Sequence, residues 1–127
     1  MTGFTGNIDE LTLTNTNFRQ VIYTGQHAQL VLMSLLPIED IGTEVHEITD
    51  QFIRVEQGVG KVIMNGEEQI LENGSAIVVP AGTEHNIINT SATENLKLYT
   101  VYSPPHHKDG TIHITKADAQ ADAADHL

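Results

Sequence analysis

The chain alternates between short apolar segments and clusters of turn residues at nearly regular intervals. Each apolar segment has the length of a β-strand and is bounded by Gly, Pro, Asn or Asp residues. Strands are predicted at 18–24, 29–36, 44–48, 51–56, 61–64, 67–71, 76–79, 85–89 and 96–102, with a shorter extended piece at 111–114. About eight or nine short strands with almost no helix predict an all-β sandwich or small barrel.

The segment Gln29–Leu36 is almost continuously apolar, whereas the other predicted strands alternate. A strand of this kind is covered on both of its faces. In a chain of 127 residues, we expect a second subunit to cover one of them, which predicts a homodimer. A monomer in solution would contradict this prediction.

The pair Asn65-Gly66 is the strongest hairpin signal in the sequence, because both residues tolerate a positive φ. Gly and His residues precede this pair, and a Gly–Pro–Gly–His series follows it. Two similar halves of Greek-key type are therefore expected to fold on each other.

The two ends of the chain differ from its middle. Residues 1–17 are rich in Thr, Asn and Gly and are expected to form a loosely attached lead-in to a single domain, 1–127, with a core at about 29–103. In the tail, 104–127, Thr115 is a predicted N-cap with Asp118 three residues later, so a short helix of roughly 12 residues should begin there.

Composition excludes several kinds of site and partner. The net charge of −11 argues against binding to nucleic acid or anionic membranes, because there is no cluster of Lys and Arg. The chain has no cysteine, which excludes disulfides and thiolate metal sites. It has no apolar run long enough to span a membrane and no secretory signal, so the cytoplasm is the expected location.

The stretch from Gly74 to Asn89 gives the clearest prediction of where strands begin and end. Ala76–Val79 reads as a strand that Pro80 ends, since proline has no N–H for a β-ladder. The next strand places His85 and Ile87 on one face, because side chains alternate along a strand. One imidazole is thus predicted at the start of an inward face.

This stretch resembles the second motif of the cupins, G-x5-P-x-G-x2-H-x3-N. Gly74, Pro80, Gly82, His85 and Asn89 match every fixed position. The first cupin motif is matched in part, over the stretch that contains His46. The resemblance covers residues 29–103 and is to small single-domain bacterial cupins. It implies a double-stranded β-helix, or jelly-roll barrel, commonly dimeric and with one divalent metal.

The resemblance implies His46 and His85 as metal ligands. Gln51 stands where the motif has Glu and could ligate through its amide oxygen, whereas Ile48 replaces the second His and cannot ligate. This neutral set would suit Ni, Mn, Fe, Co or Zn. The alternative is a barrel that has lost its metal, in which the histidines are neutral core residues and Gln51 hydrogen-bonds to both.

Further residues are expected around this site. Glu44 is the candidate general base or substrate contact, and Ile48, Ile53, Ile87 and Tyr102 are the candidate substrate pocket. Such a site would polarise a small sugar-like or keto-acid substrate for isomerase or lyase chemistry. A metal-dependent oxygenase, a non-catalytic ligand-binding module and a vestigial jelly roll remain as alternatives.

The other histidines are not part of the implied ligand set. His106 and His107 follow Pro104-Pro105 and could fold over a mouth of the barrel, but exposed loop histidines are common. The remaining three, His27, His113 and His126, are expected at the surface.

Overall fold

The computed structural model describes residues 2–125, which contain two short helices and nine strands. In chain order these are α1 (Ile8–Thr14), β1 (Arg19–Thr24), β2 (Gln29–Leu35), β3 (Asp50–Gln57), β4 (Gly60–Met64), β5 (Glu67–Leu71), β6 (Ala76–Val79), β7 (His85–Asn89), β8 (Leu96–Ser103), β9 (Ile112–His113) and α2 (Lys116–Ala121). The predicted all-β class is confirmed. Neither helix is long and apolar enough to cross a membrane.

The strands form two antiparallel sheets that face each other as a jelly-roll β-barrel. The larger sheet has the order β6-β3-β8-β2-β1-β9, and the smaller has the order β5-β4-β7. Residues 44–48, predicted as a strand, form a single bridge in which Glu44 pairs with His85 on β7. A second bridge joins Asp40 to Ile88, so the segment 40–44 runs along the edge of the smaller sheet.

The inner face of the larger sheet changes from apolar to polar along the barrel. Cross-strand pairing places Met33, Leu98 and Val55 in one row, and all three are fully buried. Two rows further along, the corresponding positions are Gln29, Tyr102 and Gln51. The barrel interior is therefore hydrophobic at one end, and at the other end it contains polar side chains that are also buried.

The predicted loose lead-in is wrong, because residues 8–14 form α1, which packs on the outer face of β2, β3 and β8. The Asn7 side chain accepts a hydrogen bond from the backbone N–H of Glu10, as an N-cap does. At the other end of α1, the buried Lys97 ammonium donates to the carbonyls of Leu13 and Asn15. The two-sided apolar pattern of Gln29–Leu36 is thus explained within one chain.

The turn predictions are confirmed at both of their strongest positions. Asn65 and Gly66 adopt φ values of 48° and 84° between β4 and β5, as the hairpin requires. Thr115 caps α2 in a reciprocal capping box with Asp118. The helix itself ends after six residues rather than the expected 12 or so, because residues beyond Ala121 turn back toward the barrel.

Candidate functional site

The polar end of the barrel is closed by the segment that follows β8. The buried Gln29 side chain accepts from the backbone N–H of His106 and of His107, and donates to the carbonyl of His107. Three hydrogen bonds to one amide fix this segment against β2. Of the two interpretations of His106 and His107, the one in which they fold over a mouth of the barrel is therefore correct: His107 is 1% exposed, and His106 is half-buried.

His107 lies in the middle of a buried hydrogen-bond chain. Its Nδ1 is 2.7 Å from Asp125 Oδ2, and its Nε2 is 3.2 Å from the hydroxyl of Tyr102. Asp125 also accepts from the Thr111 hydroxyl and from the backbone N–H of Lys108. Asp125, which lies a few residues after α2, thus holds the segment 106–111 in place.

The protonation states of Asp125 and Tyr102 in this chain of hydrogen bonds follow from their surroundings. Burial raises the pKa of the Asp125 carboxyl, but the hydrogen bond and charge of His107, with the donors Thr111 and Lys108, outweigh it and hold the pKa below its usual value. Burial raises the pKa of the Tyr102 hydroxyl, which therefore stays protonated at neutral pH. Asp125 is then the acceptor for an N–H at Nδ1 of His107.

Three side chains from two distant segments lie close together beside this chain of hydrogen bonds. The ligating atoms of Glu44, His46 and His106 all lie within 4.8 Å of one another. Nε2 of His46 is 3.5 Å from Oε2 of Glu44, and the rings of His46 and His106 are 4.1 Å apart between centroids. We call Glu44, His46 and His106 the carboxylate–histidine group.

His85 lies beside this group on β7. Its ring centroid is 5.1 Å from that of His46, and both residues are buried. Nδ1 of His85 is 2.9 Å from the carbonyl of Thr83. Nδ1 therefore carries a proton, and in the neutral ring the lone pair is on Nε2, which is the tautomer of a metal-ligating histidine. The two histidines of the predicted ligand pair are thus brought together.

Gln51 faces inward, as its strand register predicts, and is 3% exposed. Its amide nitrogen donates to the Thr100 hydroxyl at 3.0 Å, whereas its Oε1 is buried and has no hydrogen-bond partner among residues 2–125. A buried acceptor of this kind is costly unless something occupies it. The role of Gln51 as a ligand stays a prediction.

The predicted substrate-pocket residues separate into three groups. Ile48 is 79% exposed, so its expected inward orientation is wrong, because residues 45–49 do not continue the strand register of Glu44. Ile53 and Ile87 are buried in the hydrophobic core. Tyr102 points inward, and its ring centroid lies 5.8 Å from that of His46. The prediction that these residues contact a substrate is untested.

The donor set fits a divalent cation of the borderline type. Imidazole nitrogens suit Zn, Cu, Fe and Ni, and a carboxylate oxygen is accepted by all of them. The ligating atoms on one such cation are about 3 to 4 Å apart, which is close to the spacing of the carboxylate–histidine group. The hydrogen bond on the far nitrogen of His85 is the support that such ligands have in metal sites.

Sequence reasoning underestimated the C-terminal segment. His106 lies in the carboxylate–histidine group, and nothing in the spacing of Pro104-Pro105-His106-His107 signals this. His113 is buried at 3% exposure, contrary to expectation, whereas His27 is exposed as predicted. His126 lies outside the described residues.

The chain is similar in sequence to two other proteins over most of its length. YrkC of Bacillus subtilis (strain 168), an uncharacterized protein, is 52% identical over 124 residues, which cover 93% of this chain and 66% of YrkC. An uncharacterized protein of Acanthamoeba polyphaga mimivirus is 48% identical over 87% of this chain and 71% of its own length. The chain thus spans about two thirds of the length of these two relatives.

The fold is shared with a protein of known structure. The crystal structure of BH2720 from Bacillus halodurans superposes with a TM-score of 0.90 at 46% identity, over 93% of each chain. A family model described as the cupin domain matches residues 31–102, which is more than half of the chain. The chain therefore belongs to the cupin family.

Proposed function

We propose that this protein binds one divalent metal ion and acts on a small oxygenated substrate, sugar-like or a keto acid, by isomerase- or lyase-type chemistry. The observation that carries the proposal is the convergence of Glu44, His46 and His106, with His85 beside them, at the polar end of the barrel.

We assign Glu44, His46 and His106 as the primary ligands and His85 as the fourth. A ligand set with one carboxylate carries one negative charge, unlike the neutral set that the motif comparison implied. A divalent cation bound there supplies a Lewis acid for a substrate oxygen. Gln51 remains a candidate additional oxygen donor, because its buried Oε1 is unpaired among the described residues.

The chain's own residues fix the surroundings of this site. The Tyr102 hydroxyl, which stays protonated, shares a hydrogen bond of 3.2 Å with Nε2 of His107 and so fixes the orientation of both rings. The Tyr102 ring stacks against His106 with centroids 5.7 Å apart. Glu44 is more exposed than His46, with 27% against 4% side-chain exposure, so a substrate can reach its carboxylate.

Metal titration tests the proposal. Protein stripped with a chelator should bind one equivalent of Zn, Mn, Ni, Co or Fe, measured by calorimetry and by elemental analysis. The change His46→Ala should weaken binding by about 100-fold or more, since even residues that only support a ligand cost about 10- to 100-fold. The exposed His27→Ala serves as the matched control and should leave affinity unchanged.

A proton-exchange measurement on the same samples tests the proposed isomerase- or lyase-type chemistry. Isomerase- and lyase-type steps remove a proton next to a carbonyl, so metal-loaded protein should exchange such protons of pyruvate or dihydroxyacetone for deuterium in D2O. Glu44→Gln separates two roles: a ligand loses metal affinity, whereas a general base loses exchange with the metal retained. Stoichiometric metal with no exchange for either compound would contradict the proposed chemistry.

We also propose that the protein is a homodimer. Strand β2 no longer supports it, but Ile70 and Val78 do, since they are 86% and 64% exposed on the edge strands β5 and β6. Light scattering should give about twice the chain mass. The double change Ile70→Lys with Val78→Lys should give a monomer, while Ile48→Lys, at a similarly exposed isoleucine, should not. A wild-type monomer would end this proposal.

A further inference from the structure

Arg19, the first residue of β1, is a buried cation with no carboxylate partner among the described residues. It is 6% exposed, and no ion pair to it occurs among residues 2–125. One terminal nitrogen lies 3.3 Å from Nδ1 of His113, and the guanidinium lies 5.2 Å from the ring centroid of Phe18. Its Nε is buried and has no hydrogen-bond partner among the described residues.

The contact with His113 does not neutralise this charge. Arginine has only donors, so Nδ1 of His113 must accept and is unprotonated. Nε2 of the same ring then donates to Asp122 at 3.0 Å. The imidazole is therefore neutral, and Arg19 keeps a full positive charge. Buried arginines are rarely left unpaired, because removing the charge from water is expensive.

Arg19 lines a cavity of about 230 Å³ next to the carboxylate–histidine group. This volume is enough for several water molecules or one small organic molecule. The apolar walls are Phe18, Ile41 and Ala119. Glu44 lines the same cavity and also belongs to the carboxylate–histidine group, so the cavity opens beside the proposed metal site.

The other cation of the cavity wall is already neutralised. Lys116 donates to Asp40 Oδ1, and this hydrogen bond, with a second one from Asn86, holds the pKa of Asp40 below its usual value. The free positive charge of the cavity is therefore that of Arg19. The carboxylate of Glu44 provides the opposite sign at another point of the wall.

We propose that this cavity binds a small organic carboxylate, with the carboxylate on Arg19 and the oxygen-bearing end toward Glu44. A guanidinium fork matches the geometry of a carboxylate, and Arg19 lines the cavity without an ion-pair partner among residues 2–125. A monoanion is favoured over a phosphate dianion, because the chain carries a net charge of −11 and Glu44 shares the cavity. The orientation rests on the proposed metal function, whereas the site at Arg19 does not.

The test compares glycerate with glycerol, which has the same carbon chain but no charge. Binding is measured by NMR titration on the full chain after chelator treatment, so that no metal contributes. Glycerate should bind and glycerol should not. Arg19→Gln should weaken glycerate binding by about 10- to 100-fold, as expected for charged hydrogen bonds. Arg19→Lys keeps the positive charge but lacks the guanidinium group. Its affinity for glycerate should lie between those of the wild type and Arg19→Gln.

Arg54→Gln is the matched control, because Arg54 is the other arginine of the chain and has a partly exposed side chain paired with Glu56. It should bind glycerate like the wild type. Equal binding of glycerol, an equal loss in Arg54→Gln, or tighter binding of inorganic phosphate than of glycerate would overturn the assignment. Circular dichroism confirms that each variant is folded.

The orientation is tested separately with metal-loaded protein. Added metal should tighten binding of glycerate, which has hydroxyls for the metal end, and should not tighten binding of propionate, which has none. If both respond alike, the orientation is wrong while the anion site stands. If metal does not bind at all, the proposed function fails, and the metal-free result still decides the site at Arg19.

Discussion

Replacing Asp125 by alanine is expected to lower the free energy of unfolding by about 3–5 kcal/mol, the usual cost of removing one partner of a buried ion pair. Asp125 is 1% exposed and lies 2.7 Å from the ring of His107. It also accepts hydrogen bonds from Thr111 and Lys108. Chemical denaturation followed by circular dichroism measures the loss.

The matched control for this change is Asp109→Ala, an exposed carboxylate on the same segment. It should alter stability by no more than about 0.5 kcal/mol. A similar stability for both variants would show that the C-terminal segment does not hold His107. Because His106 is next to His107, Asp125→Ala should also reduce metal affinity by about 10-fold, within the range of outer-shell effects.

The difference between wild type and Asp125→Ala should depend on pH in one direction. The folded-state pKa of Asp125 is held below its unfolded value, so the carboxylate contributes its stability in full above the unfolded pKa. That contribution is lost as the pH falls below about 4. The two unfolding free energies should therefore differ by a constant amount near neutral pH and converge in acid.

Asn89→Ala is the second large expected effect, a loss of about 2–4 kcal/mol for buried hydrogen bonds left unmade. Its amide nitrogen donates to the carbonyls of Leu35, Leu36 and Glu94, and its oxygen accepts from the N–H of Ser91. These bonds close the loop at the apolar end of the barrel, away from the carboxylate–histidine group. Metal affinity should therefore not change.

Thermal or denaturant unfolding checks the effect of Asn89→Ala, with Asn73→Ala as an exposed asparagine for comparison. The control should stay within about 0.5 kcal/mol of wild type. A large drop in metal affinity for folded Asn89→Ala would mean that the motif asparagine serves the site directly. The expected result makes it a structural residue of the barrel.

Much of the fold could be predicted because its signals are local. The bounds of β5, β6 and β7 follow from Asn65-Gly66, Asn73-Gly74 and Pro80, which fix where a strand can begin or end. Helix α1 was missed, although Asn7 followed by Glu10 three residues later is a recognisable N-terminal capping pattern. Its apolar partner surface lies on distant strands, and the sequence of 1–17 alone does not show it.

The candidate site, like the fold, was predicted from the sequence only in part. Strand alternation places His85 inward, and the motif comparison pairs it with His46, so the sequence by itself determined a jelly roll with two converging histidines. Only the tertiary structure decided what surrounds them. Ile48 turns outward because no strand register holds it, and His106 turns inward because Gln29 and Asp125, distant from it along the chain, bind its segment. Periodicity and turn chemistry act over a few residues, whereas these hydrogen bonds exist only once the barrel has closed.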